Sequence, residues 1–347
     1  MTVPRQMAQR GIETLREMGL IDKSHQLKKL ERKITIPIIR EPSSAETQLL
    51  RTKLGNFVIS ETNFESIVSR PKRIQDAIQT SSTLASKLPR SFDLIGDIAI
   101  VEIPSDLDAH SSEIGKAILQ LSPHVRLVLR KCSDVMGTFR TRKFQVIAGT
   151  GTTETVHHEF SCQYNLDVAE VYFNPRLSNE RMRVARQVKP NETVVDMFAG
   201  VGPYSVLTAK SQPTSKVFSI DINPTAIKYL RQNTFVNRVA DHVIPMHGDS
   251  RKLSVNEVQG IADRVIMNLP SEAENYIDAA IRTLKKRGGR IHFYQFVDRE
   301  SRLDSLQNSF KAIVEAQDRK VEAFEFCNVI REISPGIVQV AIDALVN

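Results

Sequence analysis

The residues best placed to do chemistry lie between Thr193 and Ser205: Thr-Val-Val-Asp-Met-Phe-Ala-Gly-Val-Gly-Pro-Tyr-Ser. A β-branched run ends in the acid Asp196. A small-residue loop then carries Gly200 and Gly202, and an apolar helix start follows from Tyr204 to Ala209. Such a strand–loop–helix unit lays a nucleotide-like cofactor against bare backbone and a helix N-terminus. A dinucleotide fingerprint would place a third glycine where this chain has Ser205. A cofactor without a pyrophosphate does not need that glycine, and S-adenosylmethionine (SAM) is the reading that fits best, with a nicotinamide nucleotide as runner-up. The carboxylate of Asp196 is then expected to act, directly or through water, on the amino-acid end of SAM.

Further acids fall where a cofactor of this shape would need them. Asp221 closes the next strand, in Ser219-Ile-Asp-Ile-Asn-Pro, where an acid can accept hydrogen bonds from both ribose hydroxyls. Asp249, in Met246-His-Gly-Asp-Ser, ends the third strand, where the adenine amino group would fall; a helix-capping role fits its spacing almost as well. Phe198 in the loop, Ile222 after Asp221 and Ser250 after Asp249 are expected as cofactor contacts with them. At the end of the fourth strand stands Asn268-Leu-Pro-Ser, similar to the Asn-Pro-Pro-aromatic motif of methyltransferases that act on base nitrogens, but without the aromatic. A side-chain amide there can bond a planar N–C=O edge; the plainer reading is a strand-ending turn made by Pro270.

The elements that must hold these residues read as α/β. From Thr193 onward, strands and helices alternate: strands 193–196, 216–221, 242–246, 264–268 and 290–296, with helices 203–209, 224–237, 272–286 and 301–316. This pattern predicts a doubly wound parallel sheet. The last two strands, 321–329 and 336–344, are joined only by a Ser334-Pro-Gly turn and must pair antiparallel, because a parallel pair needs a long crossover. A parallel sheet ending in an antiparallel hairpin is the Rossmann-like class I arrangement of SAM methyltransferases rather than of dehydrogenases. Two small α+β domains are expected before it, giving boundaries of 1–62, 63–170 and 171–347. In the first, a helix over 4–19 is closed by Gly19, and strands are expected at 34–39 and 54–60; residues 63–90 read as helical and basic. In the second, Gly96-Asp97 marks a tight hairpin, followed by a helix at 111–121 and strands at 125–129, 144–148 and 154–160.

Charge supports a polyanionic partner. The net charge is +7, and residues 1–90 hold 16 Lys/Arg against 9 Asp/Glu while the remainder holds 31 of each. The whole surplus therefore precedes the glycine loop, and RNA is the simplest partner; a solubilising surface is the plainer alternative. Three distant cysteines, Cys132, Cys162 and Cys327, fit neither a disulfide framework nor a zinc site, and His157-His158 on a strand would point to opposite faces. No metal site is expected. No apolar run approaches the ~20 residues of a membrane helix, and the start lacks a secretory core, so a cytoplasmic protein, away from membranes and without an obligate protein partner, is expected.

Three stretches taken together make the reading specific. Val194-Val-Asp-Met-Phe-Ala-Gly-Val-Gly-Pro, Tyr172-Phe-Asn-Pro-Arg-Leu-Ser-Asn-Glu-Arg and Val265-Ile-Met-Asn-Leu-Pro, with Phe139-Arg-Thr-Arg-Lys, resemble the archaeal and eukaryotic tRNA guanosine-37 N1-methyltransferase family. The likeness spans almost the whole chain. It implies SAM as methyl donor, tRNA as partner, and an N-terminal module that docks the outer corner of the tRNA. It also implies roles: Glu180 as general base at N1, Arg140 as the cation against O6, Asn268 as the amide that orients the base with the Pro270 turn beside it, Tyr172 packed against the flipped base, and Arg181 near the cofactor's carboxylate. On the residues alone, Glu180 and Arg181 are also what a helix start favours, and Arg140 could touch only phosphate. The rivals are an aminocarboxypropyl transferase of the wybutosine pathway, on the same fold and cofactor, and a non-catalytic tRNA-binding protein. Asn268-Leu-Pro and Phe139-Arg-Thr-Arg favour the methyltransferase over the first. The intact Asp196, Gly200, Gly202, Asp221, Glu180 and Asn268 count against the second.

Overall fold

The computed structural model describes residues 1–66, 71–78 and 82–347. The described chain divides into two compact units, Met1–Pro71 and Lys72–Asn347.

In the first unit, strand β1 (Thr2–Pro4) pairs antiparallel with β3 (Lys33–Thr35), which pairs with β2 (Lys28–Lys29). Helices α1 (Ala8–Glu17) and α2 (Ser44–Leu54) complete it, and Val3, Leu15, Leu20, Ile36 and Leu50 form its core. Gly19 ends α1 in the left-handed conformation (φ 67°), and the Leu20 N–H donates back to Leu15 O at 2.8 Å. Two expectations fail here. Residues 54–60 are not a strand: Leu54 closes α2, and only Val58 makes an isolated bridge, to Thr2. The helix wins because Ser43 and Glu46 form a reciprocal capping box at its start. The strand expected at 34–39 stops at Thr35, shortly before Pro37, which has no N–H to continue a ladder.

The second unit opens with α3 (Ile74–Ala77) and α4 (Ser82–Lys87), so the helical reading of 63–90 holds only in part; 67–70 and 79–81 lie outside the described residues. A four-stranded sheet follows in the order β4 (Asp93–Ile95), β5 (Ile98–Val101), β6 (Leu127–Lys131), β7 (Phe144–Gly149). Strands β4 and β5 form the expected hairpin around Gly96, while β5 and β6 run parallel, linked by α5 (Ser111–Leu121). Strands β8 (Glu154–Glu159) and β9 (Cys162–Asp167) make a separate ribbon, on which His157 and His158 alternate. The three cysteines are free thiols.

Helix α6 (Ser178–Gln187) leads into the large sheet: β10 (Thr193–Asp196), α7 (Pro203–Ser211), β11 (Lys216–Asp221), α8 (Pro224–Val236), β12 (Val243–His247), α9 (Ser250–Asn256), β13 (Arg264–Met267), α10 (Ile277–Thr283), β14 (Gly289–Asp298), α11 (Leu303–Glu315), β15 (Val321–Ser334) and β16 (Ile337–Val346). Seven strands lie in the order β12-β11-β10-β13-β14-β16-β15. The first five are parallel; β16 inserts antiparallel between β14 and β15. This is the expected Rossmann-like sheet with its terminal hairpin. The helix expected over 272–286 is shorter: Ala273–Tyr276 is a 3₁₀ turn and α10 ends at Thr283. Because β10 is joined onward to β11 on one side and flanked by β13 on the other, the strand order reverses there and a crevice opens at the carboxyl ends of the strands. Among the described residues, no helix is long and apolar enough to cross a membrane.

Candidate active site

The crevice holds a cavity of about 240 Å³ lined by Phe198, Gly200, Asp221, Asp249, Ser250 and Asn268, among others. The glycine loop forms one wall. Gly202 takes φ 88°, and a Cβ there would come within 2.2 Å of the Leu230 side chain, so the loop needs a glycine on both counts. Asp221, at the end of β11, accepts the Gly200 N–H at 2.7 Å and the Asn223 N–H at 2.8 Å. Burial pushes its carboxyl above the usual range despite these two bonds. Asp249 caps α9, accepting the Arg251 N–H at 2.9 Å, and it also lines the cavity. Ser250 donates to Met197 O at 2.5 Å. Phe198 meets Tyr276 edge to face at 5.0 Å, and Ile222 lies half open at the rim.

The lining suits SAM. Asp221, Asp249 and Glu272 give it negative charge, and among the described residues lining it Arg140 is the one cation. A sulfonium and an amine are favoured in such a field. The buried Oδ1 of Asn268 has no hydrogen-bond partner, an acceptor waiting for a donor. Gly202 and Asp196 stand behind this wall rather than in it. Asp196 is fully buried, accepts the Ser205 hydroxyl at 2.7 Å, and leaves its Oδ1 unpartnered. Burial raises its carboxyl to about 7, opposed in part by the Ser205 and Phe198 hydrogen bonds.

A second cavity, about 500 Å³, shares Arg140 and Tyr172 with the first. Lys131, Arg142, Arg176 and Arg331 line it with the acids Asp93, Glu102, Asp134 and Glu332. Burial lowers the Arg331 guanidinium, and Arg176 and Arg142 nearby add like-charge repulsion. Arg140 sits in the left-handed region at φ 56°, on a tight turn in which its N–H donates to Gly137 O. Its Nη1 donates to Ser271 Oγ at 2.5 Å, and its guanidinium lies 5.7 Å from the Tyr172 ring. Arg140, Tyr172 and Asn268 are thus brought together, with Pro270 buried beside Asn268 and accepting the Phe296 N–H.

Glu180 and Arg181 open α6 and are both buried, but neither lines the two cavities. Glu180 accepts from Arg183 at 2.7 and 2.8 Å and from the Tyr294 hydroxyl at 2.7 Å. Arg181 is held by Glu159 at 2.7 and 2.5 Å and by Asn174 O, with its guanidinium over Phe173. Sequence reasoning passed over Glu159, Arg183, Ser271, Tyr276 and Tyr294. Their partners are remote in the chain and no local pattern marks them.

Known proteins give the same picture. Residues 155–322 match the TRM5/TYW2 methyltransferase domain, 74–152 the TYW2 N-terminal domain, and 2–46 the tRNA methyltransferase 5 N-terminal domain. The tRNA (guanine(37)-N(1))-methyltransferase Trm5b of Pyrococcus abyssi is 38% identical over 334 residues, covering 94% of this chain and 92% of its own. The chain belongs to the TRM5/TYW2 methyltransferase family. Among solved members of the family, the aTrm5–tRNALeu complex aligns over 100% of this chain and 99% of that chain with a TM-score of 0.82 at 30% identity. The TYW2 of Methanocaldococcus jannaschii in complex with AdoMet (SAM) aligns over 74% of this chain and 99% of that one, with a TM-score of 0.58 at 28% identity.

Proposed function

We infer that this chain transfers a methyl group from SAM to N1 of guanosine 37 in tRNA. The observation that carries the reading is the meeting of Arg140, Tyr172 and Asn268 where a cavity lined by Asp221, Asp249 and Glu272 adjoins a larger one of mixed charge rich in arginine. The match of residues 2–46 to the tRNA methyltransferase 5 N-terminal domain, and the end-to-end likeness to a Trm5b, favour methyl over aminocarboxypropyl transfer. Bound SAM supplies an electrophilic methyl on a sulfonium.

The protein's part follows from the acceptor. N1 of guanine carries a proton, so its lone pair becomes available only as that proton leaves, and negative charge then spreads to O6. Arg140 offers a fixed cation to O6, its fork steadied by Ser271. Asn268, with its unpartnered Oδ1, orients the base edge, and Tyr172 gives the flipped base a face to rest on. Glu180, buried at the start of α6, is the carboxylate that would take the N1 proton, a role carried by the family resemblance, and so free the N1 lone pair for the methyl that bound SAM would supply. Asp221 would hold the ribose hydroxyls, Asp249 and Ser250 would lie by the adenine, and Arg181, by the family resemblance, would stand near the amino-acid end. The three-part division at 62/63 and 170/171 assigns docking, support and chemistry to successive segments. Action as a cytoplasmic monomer completes the proposal.

The test is a labelling assay with tRNA carrying G or A at position 37 and SAM labelled in either the methyl or the aminocarboxypropyl group. Methyl transfer that requires G37 is expected; aminocarboxypropyl transfer refutes the reading. In the same assay Glu180→Gln should slow single-turnover transfer by roughly 10²- to 10⁴-fold while SAM affinity stays unchanged.

A further inference from the structure

We propose that Asp343, on the last strand of the sheet, is a positioning residue that keeps Glu180 basic by sharing the charge of Arg183. The inference rests on the reading of Glu180 as the base.

One guanidinium serves two carboxylates. Arg183 reaches Glu180 through Nε and Nη2, and reaches Asp343 through Nη1 and through Nη2 at 3.0 Å. Asp343 is 1% exposed and also accepts from Gln187 Nε2 at 2.9 Å and meets His292 Nδ1 at 2.7 Å. The state of His292 follows from its other side. Arg264 Nη1 lies 2.7 Å from His292 Nε2, and a guanidinium can only donate, so Nε2 carries no proton. His292 is therefore the neutral tautomer, its Nδ1–H donating to Asp343. Burial, with Arg264 and Arg183 nearby, favours the same neutral form. Burial alone would raise the Asp343 carboxyl, but the His292 hydrogen bond and Arg183 hold it well below the usual range.

The charges then add up simply. Arg264 is matched by Glu192 at 2.9 Å, and His292 is neutral. One positive Arg183 is left between two negative carboxylates, so the set keeps a net charge of −1. Other groups around it do not supply the missing cation. Arg181 is paired with Glu159, Arg290 with Glu325, and Tyr204 and Tyr294 are held neutral by burial. Asp196, below the loop, adds no positive charge. A carboxylate in undivided possession of Arg183 would be a weak base. With Asp343 taking its share, Arg183 and Tyr294 hold Glu180 in place without the whole of the Arg183 charge falling to it.

The test uses the full chain in single-turnover methyl transfer to tRNA, at saturating SAM, across a pH series. Asp343→Asn keeps the shape and one accepting oxygen but removes the charge and turns the other oxygen into a donor. Arg183 then belongs to Glu180, and the limb of the pH–rate profile on which the base ionises should move down by on the order of one pH unit. The plateau should fall by roughly three- to tenfold, as a weaker base implies. Asp343→Glu should restore the limb. Arg183→Gln, which removes the cation and needs no change at position 343, should move the limb the other way. A limb that stays in place in Asp343→Asn overturns the proposal, whether the rate is intact or uniformly reduced. Should that variant fail to fold, an unmoved limb in Arg183→Gln does the same. Wild-type activity in Glu180→Gln would instead remove Glu180 as the base, a result read separately from either.

Discussion

Asp196 sits fully buried under the glycine loop, and its burial has a thermodynamic signature. Its carboxyl is raised from 3.8 to about 7 in the folded chain. Between those values the unfolded chain has released the proton and the folded chain still holds it. Stability on account of this group is therefore complete at acid pH and falls as pH rises towards neutrality. A shift of about three units at 1.36 kcal/mol each corresponds to about 4 kcal/mol lost between about pH 4 and about pH 8. Asp196→Asn keeps the shape and can still accept from Ser205, but has no proton to lose. Urea unfolding of both proteins across that range isolates the effect, since every other titrating group cancels in the difference. The variant should gain on the wild type by about 4 kcal/mol from the acid to the alkaline end. Parallel stability curves would refute the argument, because they would mean that Asp196 ionises in the fold as freely as it does in the unfolded chain.

Two further perturbations separate the roles of the site. Asp221→Asn should weaken SAM binding by roughly 10- to 100-fold, the worth of one or two charge-assisted hydrogen bonds, and leave tRNA affinity as it was; equilibrium dialysis with labelled SAM and a tRNA filter assay check the two halves. Arg140→Gly replaces a residue held at φ 56° by the one residue at ease there. Thermal melting should show stability unchanged or higher by ~1 kcal/mol, while single-turnover transfer drops by roughly 10²- to 10³-fold; an unchanged rate would end the O6 assignment.

What the sequence disclosed was whatever repeats at short range. The alternation after Thr193 and the turn at Ser334-Pro-Gly carried enough period and punctuation to specify the large sheet and its antiparallel end. The acids at 221 and 249 were legible because one closes a strand and the other caps the helix that follows the next, and both places are fixed in this fold. The helix over Ser44–Leu54 was missed although its capping box was written plainly in Ser43 and Glu46, because a run of β-branched and aromatic residues just after it drew the reading towards a strand. Arg181 illustrates the deeper limit. The family resemblance implied a place near the cofactor's carboxylate, yet Glu159, on a separate ribbon, holds it from 22 positions away. The line from Glu180 through Arg183 and Asp343 to His292 and Arg264 uses four separate elements, and no window of sequence contains it.

The turn that carries Arg140 is a wall common to the acidic crevice cavity and the larger cavity of mixed charge. Its conformation is strained at Arg140 and stitched by little more than the Met136–Thr141 bridge and the bond to Ser271. A shared wall ties the two spaces together: any shift of it that widens one cavity changes the other, and linkage makes whatever factor one occupant imposes on its neighbour's affinity the same in both directions.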